Sequence, residues 1–456
     1  MAKKFDNLEL DKNSLMFGYA KYPVTQNGIT IGGGKVIPEI NFTLPPMIIN
    51  DANKKEIVNQ YKEMMQGICE RSIALHQYEL VVEFELLPQM TFEPYWGEII
   101  TTLLKEILAE YEVKHGLKYL LRITPTDIRE VQSPPLRREG KELQNILESF
   151  RGCIKAGGDL LSIESIGGKE VTDKAIIEAD IAGMIFGVGI LAVADMEYLW
   201  GNICKIAEET HTIPAGDTAC AIGNTAMVLA EKNYIPKVFA AVVRVLTVVR
   251  SLVAYEQGAV GPGKDCAYEN PFLKSITGYP MSLEGKTAAC AHLSSLGNIT
   301  GAYADLWSNE SIQNIKLLAG IGPVVSYEQL VYDCRLFNAS IINCSNIELQ
   351  NCLIQSDASL DPQAYILKPE CVTQIAQVIV SVDDNYLRCL NSAKRTIELL
   401  KKGFVEKGLV LTERETKWLD ILDKCVECLP TDKGQFVHQE KKKWSKYVNF
   451  NQYGLE

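Results

Sequence analysis

A parallel α/β architecture is predicted by two features of the chain. Strand-like runs at residues 36–44, 80–87, 119–124 and 159–164 are separated by helix-like segments at 54–75, 95–115 and 141–156, and alternation of this kind builds parallel sheets with helical crossovers. Each helical segment is long enough for a right-handed return to the next strand. Four such units within about 165 residues match half of an eight-unit barrel.

In order, VIPEINFTL, LVVEFELL, YLLRIT and DLLSIE are rich in β-branched, leucine and aromatic residues, which suit half-buried strands. The second half is less regular, with strands expected at 212–218, 258–261, 282–287 and 315–319. Beyond residue 337 the character turns helical, with runs at 371–382 and 386–402 and a charged tail containing QEKKKWSKY. Pattern alone does not separate a closed barrel from an open doubly wound sheet.

With 456 residues, 47% of them hydrophobic, the chain can bury a large core. A net charge of −11 and a pI near 5.2 argue against a nucleic-acid partner, which calls for a basic surface. The charged N-terminus MAKKFDNLELDKNSLMFGYA lacks a signal-peptide core, so a cytoplasmic location is expected. The most apolar stretch, IAGMIFGVGILAVADMEYLW, reaches Asp195 before the roughly 20 residues of a membrane span, and reads as a buried core element. Thirteen cysteines, an odd number, argue against a disulfide framework and leave thiols free for a metal.

Three segments carry residues suited to chemistry: LLSIES with Glu164, AGDTACAIGNTAM with Cys220 and GPGKDC with Cys266. The last two contain turn-forming Gly, Asp, Thr and Pro around their cysteines, as loops that hold side chains in place do. Taken alone these residues leave the assignment open, because most cysteines in such a chain are buried small hydrophobes. Glu269, three residues past Cys266, is a rival oxygen ligand. His211 and the pair Cys290 and His292 are rival metal-binding side chains, and Cys425 with Cys428 forms a CxxC that lacks the second pair of a closed zinc site. The glycines at 32–34 and 167–168 match no phosphate loop; Gly167 and Gly168 read as a tight turn that aims Glu164.

The stretches EINFTLPPM, SIESIGGKEV, GDTACAIGNTAMVLAEKNYIPKVFAAVVR, RSLVAYEQGAVGPGKDCAYENP, EGKTAACAHLSSLGN and ADLWSNESIQNIKLLAG span residues 39–320. Together they resemble the methanol:corrinoid methyltransferase subunit of methylotrophic methanogens and acetogens. The resemblance implies a TIM (β/α)8 barrel with an additional helical layer. On that reading residues 1–35 form an N-terminal extension, 36–337 the barrel and 338–456 a helical region packed on it. Glu164 ends a predicted strand, where barrel enzymes place their sites.

The family's zinc ligands fall on Glu164, Cys220 and Cys266, so one zinc per chain is expected, with a fourth position open to substrate. The implied activity moves the methyl group of methanol to the cobalt(I) corrinoid of a partner protein, zinc acting as Lewis acid on the methanol oxygen. Asp217 and Glu269 are expected to support the ligands or deliver a proton, with Lys264, Asp265 and Tyr268 as further candidates. Asp217 reads first as a helix cap or Asx-turn ahead of the helix at 221–231. No corrinoid-binding DxHxxG motif occurs, so cobalamin is expected on a small corrinoid protein, in a heterotetramer around a dimeric core. Rival readings are a methyltransferase for another small methyl donor, a TIM-barrel zinc lyase or hydrolase, and a non-catalytic subunit.

Overall fold

The computed structural model describes residues 4–45, 47–264, 266–312, 315–318 and 320–455. A hairpin of β1 (Tyr19–Gln26) and β2 (Ile29–Gly33) precedes a seven-stranded parallel sheet. Its strands are β3 (Ile37–Thr43), β4 (Glu79–Glu85), β5 (Lys118–Thr124), β6 (Leu160–Ile163), β7 (Ile213–Asp217), β8 (Ser282–Glu284) and β9 (Leu306–Ile312). They are ordered β7-β6-β5-β4-β3-β9-β8, so β7 and β8 are the two edges.

Residues 259–263 join those edges. The Val260 amide donates to Pro214 O of β7 at 2.9 Å, and Ser282 N of β8 donates to Gly263 O at 2.8 Å. The expected run at 258–261 therefore closes the ring without becoming a regular strand, because its glycines and Pro262 cannot sustain a ladder. The result is the expected TIM-barrel-like architecture with helices outside.

The three long helices expected in the first half lie at Lys54–Ala74, Tyr95–His115 and Lys141–Lys155, with an additional short helix at Pro88–Phe92. Two further differences concern strands. The run at 282–287 stops at Glu284, where Gly285 caps the helix Lys286–Ala291. The strand expected at 315–319 lies instead at Leu306–Ile312; Ile315, Leu317 and Leu318 are exposed near a small hairpin, and Ala319 lies outside the described residues. The true strand was disguised because Ser308 and Glu310 replace inward apolar residues.

Inside the barrel, composition changes with height. At the N-terminal ends of the strands Ile37, Val81, Leu120, Leu160, Ala215 and Leu306 form an apolar layer, sealed from below by Ile29 and Ile31 of β2. One layer higher lies Arg122, fully buried. It donates to Glu39 Oε1 at 2.7 Å, Ser162 Oγ at 2.8 Å and Pro262 O at 2.9 Å. A buried guanidinium persists only when so paired.

The apolar stretch noted above is a helix, Ile181–Thr210, mostly buried in the protein. Lys237–Gln257 is buried on every side because it is sandwiched between the barrel and the C-terminal helix Asn385–Val405. Further helices at Pro369–Val380, Glu413–Glu427 and Lys433–Trp444 complete the outer layer.

Candidate metal centre

Glu164 follows β6 at the C-terminal mouth of the barrel, and three backbone amides just beyond it are pinned. Ser165 N donates to Asp217 Oδ1 at 3.2 Å, Ile166 N to Asp127 Oδ2 at 3.0 Å, and Gly168 N to the Tyr453 hydroxyl at 3.0 Å. Gly168 has φ +77°, and a Cβ there would overlap the Gly187 carbonyl, so only glycine fits this turn.

Cys220 is the first residue of the helix Cys220–Glu231. The turn before it is held by Glu269, which accepts from Ala219 N at 2.8 Å, Thr218 Oγ1 at 3.1 Å and Ser251 Oγ at 2.9 Å. Cys266 lies in the loop after the closing segment, where Asn270 Nδ2 donates to the carbonyls of Gly263, Lys264 and Ser282 at 3.0–3.2 Å. Arg244 binds the Ala267 carbonyl. Each donor therefore stands on backbone fixed independently of any cation.

These three loops bring Glu164, Cys220 and Cys266 together: their ligand atoms all lie within 4.8 Å of one another. Cys266 Sγ is 3.4 Å from Glu164 Oε1. No other cluster of three or more His, Cys, Asp or Glu donors of this kind occurs among the described residues.

The surroundings are acidic around one cation. Lys264 Nζ is 2.7 Å from Glu83 Oε1, 2.8 Å from Glu85 Oε1 and 3.4 Å from Glu164 Oε1. Burial depresses the lysine, but Glu83 and Glu85 outweigh it and hold it charged. Burial and then the Glu85 charge push Glu164 up to about 7, against the pull of Lys264. Glu310 is likewise pushed up to about 7, first by Glu85 and then by burial. A hydrogen bond from Cys266 lowers the Cys220 thiol, yet burial and the Glu164 charge leave it at about 12. Burial raises Cys266 well above the usual thiol range. The metal-free centre thus holds its protons tightly.

The other candidate residues have defined places. By alternation along β7, Asp217 would point inward; a register shift near Ala215 aligns it with Ile163 instead. It faces the helices, bound to Arg250 Nη2 and Trp200 Nε1, each at 2.8 Å. Asp217 and Glu269 thus fix the loops bearing Glu164 and Cys220, and neither lines the cavity beside Glu164. Tyr268 packs its ring against the Arg244 guanidinium. Asp265 lies outside the described residues. His211 caps the helix before β7, at the end of the barrel opposite Cys220. Cys290 is exposed, His292 lies 3.4 Å from Asn224 Nδ2, and Cys425 and Cys428 sit exposed at a helix end. Sequence reading passed over Glu83 and Glu85, although ELVVEFE sets two carboxylates on one face of a strand.

A cavity of about 180 Å³ opens beside the centre, bounded by Glu85, Thr124, Thr126, Asp127, Glu164 and Lys169. The family model for the methanol-cobalamin methyltransferase B subunit matches residues 2–454. The chain belongs to that family. It is a methyltransferase. A methanol--corrinoid protein co-methyltransferase from Methanosarcina barkeri (strain Fusaro / DSM 804) is 39% identical over 443 residues, covering 96% of this chain and 95% of the relative. The crystal structure of the methanol:cobalamin methyltransferase complex MtaBC from Methanosarcina barkeri contains a chain that superposes with a TM-score of 0.96 at 37% identity, each chain covered in full.

Proposed function

We propose that this methyltransferase binds one zinc ion through Glu164, Cys220 and Cys266 and transfers the methyl group of methanol to a cobalt(I) corrinoid carried by a partner protein. The observation that carries the reading is the convergence of two thiols and a carboxylate within 4.8 Å at the barrel mouth. Tetrahedral zinc with Zn–S near 2.3 Å and Zn–O near 2.0 Å separates its donors by about 3.5–3.8 Å, so small side-chain adjustments close the set. Soft sulfur donors suit zinc better than magnesium or calcium, and three donors leave a position free. Bound there, zinc supplies a Lewis acid to the methanol oxygen.

The chain's own residues do the rest. Methanol, cobalt(I) and one proton give methyl-cobalt(III) and water, so negative charge on the departing oxygen must be neutralised. Lys264 holds Glu83 and Glu85 in place and offsets the carboxylates around the cavity. The cavity, about 180 Å³, is smaller than the roughly 300–1,000 Å³ of pockets for drug-sized ligands, which favours a small donor over a methoxylated aromatic. Absence of histidine from the donor set weighs against a zinc hydrolase.

With no corrinoid motif of its own, the chain needs a corrinoid protein, and exposed Ile48, Leu293, Ile315, Leu317 and Leu318 on loops at the C-terminal ends of β3, β8 and β9 offer it an apolar rim. The reading extends to a cytoplasmic heterotetramer with a dimeric core, and to an extension at 1–35, a barrel at 36–337 and a helical region at 338–456.

The test compares wild type with Glu164→Gln, Cys220→Ala and Cys266→Ala for metal content and methanol-dependent methylation of cobalt(I) cobalamin. About one zinc per wild-type chain, with metal and methylation reduced at least about 100-fold in folded variants, is expected, since even supporting residues cost 10–100-fold. Full zinc and full activity in all three variants would overturn the ligand assignment. Full activity toward another small methyl compound, with none toward methanol, would reassign the donor.

A further inference from the structure

The two sulfurs of the centre are not equivalent. Asn224 lies one helical turn beyond Cys220, on the same face, and its Nδ2 is 3.1 Å from Cys220 Sγ. The same nitrogen is 3.4 Å from His292 Nε2 in the segment after β8. Cys266 Sγ is approached by oxygens instead: Glu164 Oε1 at 3.4 Å and Thr218 Oγ1 at 4.0 Å. The Thr218 hydroxyl itself faces Glu269 Oε1 at 3.1 Å.

Chemistry fixes how the amide must face. A deprotonated sulfur only accepts, so Oδ1 turned toward it would set two acceptors in contact. On the other side burial lowers the His292 pKa and favours the neutral ring, whose Nε2 accepts when the proton is on Nδ1. In the Nδ1–H tautomer of His292 an acceptor stands on each side, and both Nδ2 hydrogens are engaged. Asn224 is 7% exposed, so solvent offers the amide little alternative.

We propose that Asn224, held by His292, is a positioning residue that donates to the Cys220 sulfur and draws charge from it, keeping a cation at this centre electrophilic. The proposal rests on reading the centre as a zinc site. Two thiolates and a carboxylate outweigh a divalent cation by about one charge, and such electron-rich ligation weakens a Lewis acid. An N–H donor on one thiolate counters that loss, and supporting hydrogen bonds of this kind typically change metal affinity or activity by ~10–100-fold.

The full chain as wild type, Asn224→Ala, Asn224→Leu, His292→Leu and His292→Gln is loaded with cobalt(II) in place of zinc. Metal content, the energy of the sulfur-to-cobalt charge-transfer band, and kcat and KM for methanol with cobalt(I) cobalamin are then measured. Both Asn224 variants are expected to keep about one metal per chain. Their band moves to longer wavelength, because a thiolate freed of its hydrogen bond gives up charge more easily, and kcat falls ~10–100-fold with a smaller change in KM. His292→Leu shifts the band the same way by less, and His292→Gln, whose Oε1 restores an acceptor, returns it toward wild type. Loaded Asn224 variants with an unshifted band overturn this inference and leave the metal reading standing. A wild type that binds no metal overturns both. Should neither Asn224 variant fold, an unshifted band in His292→Leu overturns it.

Discussion

The two ends of the barrel solve the problem of filling its interior in opposite ways. At the N-terminal end, Ile29 and Ile31 of the hairpin press into a ring of aliphatic side chains, and the closure costs no charge. At the C-terminal end Glu83, Glu85, Glu164 and two cysteines gather around Lys264, an arrangement held by ion pairing on pinned loops. Arg122 and Glu39 divide the two. One end therefore stabilises the fold, and the other keeps carboxylates and thiols close together at an energetic cost that a cation relieves.

The contrast is sharpest at Lys264. Lys264→Met should cost about 3–5 kcal/mol in chemical denaturation, because it strands buried carboxylates without a partner. A loss below ~1 kcal/mol would show that the upper end is solvated and that the contrast fails. At the lower end Ile31→Ala should cost about 2–5 kcal/mol through a cavity while leaving metal content at wild-type level. A metal-depleted but folded Ile31→Ala would mean the two ends are coupled.

Acidity separates the ends more finely. In the metal-free chain Glu164 and Glu310 hold their protons up to about 7, against about 4.5 for an ordinary glutamate. The unfolded chain releases these protons first, so their contribution is full below about 4.5 and is lost as pH rises through about 7. The metal-free protein should therefore melt at progressively lower temperature across that window. Bound as proposed, zinc should remove the share due to Glu164. Loading near pH 7 should release about two and a half protons, one from each thiol and about half of one from Glu164; calorimetry in buffers of different ionisation enthalpy counts them, and a release of about half a proton or less would sink the thiolate assignment. The smallest effect belongs to Cys425→Ser with Cys428→Ser, expected within about 0.5 kcal/mol of wild type and with unchanged zinc.

The first half of the barrel was legible because β3 to β6 carry dense apolar runs and the helices between them are long. β9 was obscure for a physical reason: it faces the polar upper interior, so Ser308 and Glu310 stand where apolar residues would have marked a strand. Cys220 and Cys266 could be paired with Glu164 only through the family-like sequence around them. For Asp217 alternation pointed into the barrel, and only the register shift near Ala215 turned it outward. Asn224, four residues past Cys220, was within reach of helical spacing, whereas nothing in the chain placed His292 beside it.

Tyr453 donates to Glu170 and accepts from the amide of Gly168, a partner 285 positions earlier in the chain. During synthesis the loop after Glu164 is therefore made long before the residue that secures it, by roughly 15–60 s at 5–20 residues per second. A nascent chain that has already displayed every strand of the ring still lacks this fastening. The loop that carries Glu164 is thus fastened only once the ribosome has passed the last helices.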